Sequence, residues 1–87
     1  MKDQSFEDLK TLFAADLSGK IIALKAAIRD ANWDAIRTIS HQISGVATSF
    51  GYPEISMLAS ELERSVEQNS LDYLADLVKK ISDLFVL

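Results

Sequence analysis

The chain has 87 residues, enough for one domain, and 48% of them are hydrophobic, mostly Ile, Leu, Ala and Val. Three Gly and one Pro give too few turns for an all-β domain, and the absence of Cys removes disulfides, thiol nucleophiles and Cys-based zinc sites. The net charge of −4, from 13 acids and 9 bases of interspersed sign, includes no basic stripe and argues against nucleic acid as a partner.

Helical periodicity runs almost from end to end. Phe6, Leu9, Phe13 and Leu17 share one face of a first helix, and Ile21, Leu24 and Ile28 form a second stripe. Gly19 between the two stripes allows either two helices or one with a bend. Asn32 is placed to N-cap the next helix, with Asp34 in its first turn, and that helix is expected to run to Phe50. Gly51-Tyr52-Pro53 punctuates the chain: Gly suits the left-handed position after a helix and Pro the first turn of the following one. So short a link makes the helices on either side antiparallel neighbours. Ile55, Leu58, Ala59, Leu62 and Val66 then form one face. Asn69-Ser70 offers a cap for a last helix with Asp72 in its first turn, and Leu71, Leu74, Val78, Ile81 and Phe85 on its buried side. Leu77 and Leu84 fall just outside that arc and leave room for a weak dimer contact.

The expected fold is therefore all-α: one domain over residues 1–87, an antiparallel four-helix bundle (up-down-up-down) with an additional N-terminal helical segment. No run of about 18 apolar residues is present to span a membrane. The polar start, Met1 to Gln4, does not resemble a secretory signal, so a cytoplasmic location is expected.

His41 is the only histidine. At about 100° per residue, Ile36, Ile39, Ser40, Ile43, Ala47 and Phe50 fall within an arc of about 100°, and His41 lies on the opposite side, in mid-helix and facing solvent. Arg37, Thr38, Ser44 and Gly45, three and four residues away, share its face, with Thr48 a further turn along, and none of them is acidic. Gly45 is costly there, since glycine inside a helix loses about 1 kcal/mol against alanine. A residue that weakens the helix beside an exposed histidine implies that something must approach closely. A neutral imidazole offers a ring nitrogen that can attack phosphorus. Arg37 could offset the added charge, and the hydroxyls of Ser44 and Thr48 could donate hydrogen bonds. Phosphoryl transfer demands chiefly positioning and charge stabilisation. One His without Cys makes no catalytic dyad, and the dispersed glycines make no phosphate-cradling loop, so a carrier is expected rather than an enzyme. The competing reading is a helical interaction module with an incidental surface histidine.

The stretch His41-Gln42-Ile43-Ser44-Gly45-Val46-Ala47-Thr48-Ser49-Phe50-Gly51 resembles the signature of histidine-containing phosphotransfer (HPt) domains: His, any residue, an aliphatic, usually Lys, Gly, small residues, then an aliphatic or aromatic and Gly. The similarity continues through Leu58-Ala59-Ser60-Glu61-Leu62-Glu63, and Ala31-Asn32-Trp33-Asp34-Ala35-Ile36 looks like the family's approach to its phosphorylated helix. The resemblance implies a phosphorelay intermediary that accepts a phosphoryl group on His41. Its implied partners are receiver domains of a hybrid sensor histidine kinase and of a response regulator. It needs no cofactor of its own, Mg²⁺ coming with the receiver. Glu63 matches a family polar position that can hydrogen-bond the imidazole. Ser44 departs from the pattern by replacing the usual Lys, which leaves Arg37 as the nearest expected cation.

Overall fold

The computed structural model describes residues 6–85. Four helices follow in chain order: α1 (Phe6–Arg29), α2 (Trp33–Val46), α3 (Pro53–Glu67) and α4 (Leu74–Leu84), with a 3-10 turn, Thr48–Phe50, between α2 and α3. Met1 to Gln4 lie outside the described residues, as do the side chains of Phe6 and Leu9.

α1 is continuous through Gly19, so the N-terminal stretch is the beginning of a 24-residue helix rather than a separate segment. The reason is its buried stripe. Phe13, Leu17, Ile21, Leu24 and Ala27 keep three- and four-residue spacing across the glycine, and one face packs without interruption. α1 packs on α2 and α4, and α3 packs on the same two helices. The shared core is completed by Ile36, Ile43 and Ala47 from α2, Ile55, Ala59 and Leu62 from α3, and Leu74, Leu77, Val78, Ile81 and Phe85 from the C-terminal region. Leu77 is thus a core residue and not an edge one, because α4 packs against two helices and buries a wider arc; Leu84 is 41% exposed.

The ends of α1, the 3-10 turn and α3 share one device. Asn32 N–H donates to the Ala27 carbonyl, Tyr52 N–H to Ala47 and Ser70 N–H to Ser65, at 2.8, 3.0 and 2.8 Å. In each case the residue before the donor (Ala31, Gly51 or Asn69) is left-handed, with φ of 55, 91 and 60°. These are Schellman closures, which satisfy carbonyls that a helix end leaves bare. Asn69 therefore ends α3 rather than beginning α4, which starts at Leu74 after Tyr73 with Asp76, not Asp72, in its first turn. α2 likewise stops at Val46, four residues short of Phe50, where the chain tightens into the 3-10 turn. The expected cap at Asn32 is present, its side-chain oxygen accepting from the Ala35 N–H at 3.2 Å, and Pro53 opens α3.

Phe13 stacks on Phe50 with ring centroids 4.3 Å apart, and Tyr52 lies 6.0 Å from Phe13 and 5.9 Å from Phe85. This aromatic cluster ties α1, the 3-10 turn, the α3 entry and the end of α4 together. It fixes the α2–α3 connection and hence the register of the helix that carries His41.

Candidate functional site

α2 and α3 face each other through two polar contacts. Ser56 Oγ donates to the Ser44 carbonyl at 2.7 Å, and His41 Nδ1 meets Glu63 at 3.1 Å to Oε2 and 3.3 Å to Oε1. As α2 advances from His41 to Ser44, α3 runs back from Glu63 to Ser56, so the pair is antiparallel. Ile36, Ile43, Ile55, Ala59 and Leu62 are buried on these two helices, and the polar contacts lie at the edge of that seam.

The His41 side chain is 74% exposed and that of Glu63 only 21%. The imidazole therefore stands in solvent while its anchor is held between helices. A carboxylate oxygen has only acceptor capacity, so the ring nitrogen facing it carries the hydrogen and Nδ1–H donates to Glu63. In the neutral ring Nε2 is then left with the lone pair, directed away from α3. The arrangement fixes both tautomer and ring orientation, as an acidic partner does for imidazoles that act as ligands or bases. It leaves one ring nitrogen with a free lone pair on a side chain that is exposed to solvent.

The remaining sequence-predicted residues distribute unevenly. Gly45 is exposed, and a Cβ built there would meet no atom within 4 Å. No neighbouring helix demands a glycine at this point. Ser44 is half-buried and its hydroxyl donates to the His41 carbonyl at 3.0 Å, a local bond within α2. Arg37 lies one turn before His41, with its guanidinium 3.9 Å from Asp34 and its side chain 46% exposed. Thr48 is exposed in the 3-10 turn beyond the end of α2.

Sequence reasoning missed one wall of the site. Asp16, Lys20, His41, Gln42, Gly45 and Val46 bound an open cleft of about 420 Å³ between α1 and α2. Lys20 and Asp16 lie 21 and more residues upstream of the histidine, and only the packing of α1 on α2 brings them to it. Among the described residues no group of three or more His, Asp or Glu side chains is placed to hold a metal ion. No described helix is long and apolar enough to cross a membrane.

No curated protein and no solved structure gave a match to the chain. The family described as Hpt domain matches residues 8–85, which takes in α1 from its third residue, the other three helices and the cleft at His41.

Proposed function

The chain belongs to the Hpt domain family, helical carriers of histidine phosphotransfer in phosphorelays, and from that premise we propose that it takes a phosphoryl group on His41 Nε2 from one receiver-domain aspartate and passes it to another. The donor is the receiver of a hybrid sensor histidine kinase and the recipient a response regulator, in the cytoplasm, with the chain acting as a single domain. The observation that carries this reading is the exposed imidazole in mid-α2, held through Nδ1 by Glu63.

The step balances without a cofactor on this chain. The Nε2 lone pair forms the N–P bond while the P–O bond of the aspartyl phosphate breaks, and the aspartate leaves as a carboxylate. The imidazole becomes a phosphoryl-imidazolium that keeps its Nδ1 hydrogen, and the Glu63 carboxylate faces that new positive charge. Return to the second aspartate is the same step reversed. The receiver brings the Mg²⁺ that screens the phosphoryl oxygens, so the carrier supplies a positioned nitrogen and an unobstructed approach.

Incubation with a phosphorylated receiver is expected to leave acid-labile, base-stable phosphate on His41. His41→Gln is expected to keep its helical signal, since the side chain is exposed and Gln is a good helix former, and to take up none. Labelling of that variant at the wild-type rate would refute the assignment and favour a helical interaction module with an incidental histidine.

A further inference from the structure

A phosphoryl group on His41 brings about two negative charges to an exposed helix face. Family members place a Lys three residues after the histidine, but here that position is Ser44, whose hydroxyl is already given to the His41 carbonyl. Arg37 is directed toward Asp34, back along α2. The structure offers a different cation. Among the described residues, Lys20 is the one Lys or Arg on the wall of the cleft that also contains His41 and Gly45. Its side chain is only 25% exposed, so it lies along the protein surface rather than extending into bulk solvent. Its Nζ is 3.0 and 3.1 Å from the two carboxylate oxygens of Asp16.

We propose that Lys20 is the phosphoryl-binding cation of this domain: its ammonium leaves Asp16 and hydrogen-bonds the phosphoryl oxygens on His41 across the cleft that the two side chains line. This rests on His41 being the acceptor. A surface i,i+4 ion pair such as Asp16–Lys20 is weak and screened by salt, so a dianionic group in the same cleft competes for the ammonium readily. The lysine has a flexible stem and three donors on a compact charge, which suits a partner that arrives and departs. In the unphosphorylated chain Asp16 parks the ammonium beside the cleft.

The test uses the whole chain with phosphoramidate as donor, which removes the receiver's own cations. Nε2 attacks phosphorus, the P–N bond of the donor breaks and ammonia leaves. Wild type, Lys20→Gln, Lys20→Arg and Asp16→Asn are compared for uptake rate and by ³¹P NMR titration of the phosphohistidine. Lys20→Gln is expected to slow uptake by about tenfold, the size of one charge-assisted hydrogen bond. It is also expected to raise the pH at which the phosphoryl resonance titrates, because a nearby cation favours the dianion. Lys20→Arg recovers most of both effects, and Asp16→Asn, which frees the ammonium and removes a like charge, takes up phosphate at least as fast as wild type. A wild-type uptake rate in Lys20→Gln refutes the proposal. So does a slowed rate with an unmoved ³¹P titration, since a merely structural role changes no phosphoryl ionisation. Failure of the wild-type chain itself to label would instead refute His41 as acceptor, and this proposal with it.

Discussion

Gly45 is where stability and function are expected to separate, and Gly45→Gln tests it. Glycine in a helix interior costs about 1 kcal/mol against alanine, with glutamine close to alanine. Gly45 is the penultimate residue of α2, where fewer helical hydrogen bonds depend on it, so the recoverable share is about 0.5 kcal/mol. No atom lies within 4 Å of a Cβ at this position, so no steric penalty opposes the gain. For a domain of this length, about 0.5 kcal/mol corresponds to about 2–4 °C in Tm. Thermal unfolding followed by circular dichroism should show that rise, and Gly45→Ala should show it too. Transfer from a phosphorylated receiver should fall by about tenfold or more in the Gln variant, because a displacement of the docked partner by the width of a side chain misplaces the in-line geometry. Phosphoramidate, which needs less room, should be affected much less. Normal transfer from the receiver in a stable variant would refute the close-approach argument. Equal losses with both donors would mean that the glycine serves the chemistry rather than access, and unfolding would mean that it serves packing.

Two further substitutions probe the anchor and the helix ends. Glu63→Ala should leave the helical signal unchanged but reduce phosphoryl uptake on the order of tenfold, because the Nδ1–H loses a charge-assisted partner and the ring its fixed tautomer and orientation; uptake at the wild-type rate would show that the 3.1 Å contact does not prepare the imidazole. Ala31→Gly should raise stability by about 0.5–1 kcal/mol in chemical denaturation, since Ala31 has φ 55° and an L side chain is disfavoured in the left-handed region; an unchanged midpoint would mean that the extra freedom of glycine in the unfolded chain offsets the relief.

Features that depend on one helix were legible in the sequence. The wheel through Ile36, Ser40, Ile43 and Ala47 marked the buried face of α2 and left His41 outside it, because both follow from the 3.6-residue period alone. Asn32 and the Gly51-Tyr52-Pro53 link were legible because each residue type there has one strong backbone use. Asn69 misled because asparagine has two: it caps helix starts and also tolerates the left-handed position that ends them. Gly19 misled because a local cost of about 1 kcal/mol is small beside the burial of a stripe from Phe13 to Ala27. Tyr52 read as turn punctuation, yet its ring joins Phe13 and Phe85 across three elements, which no local pattern encodes. Lys20 was out of reach for the same reason, since its distance from His41 along the chain has no periodic relation to its place on the cleft wall.

The site also explains why α2 and α3, rather than any other pair, carry it. Of the side chains that set the imidazole, Glu63 belongs to α3, and its reach to Nδ1 depends on the relative register of the two helices. A slide of one residue is about 1.5 Å along the axis, enough to turn a 3.1 Å hydrogen bond into no bond. That register is held at three levels: the apolar seam of Ile36, Ile43, Ile55, Ala59 and Leu62, the Ser56 to Ser44 contact at 2.7 Å, and the aromatic cluster that pins the connection at Phe50 and Tyr52. Ser44 has its place within this scheme. Its carbonyl accepts from α3 while its hydroxyl donates back along α2, so a residue lost as a phosphate ligand remains as a register contact. On the Lys20 proposal, the charge that a lysine would have brought at that position comes from α1 instead, where moving it does not disturb the α2–α3 seam.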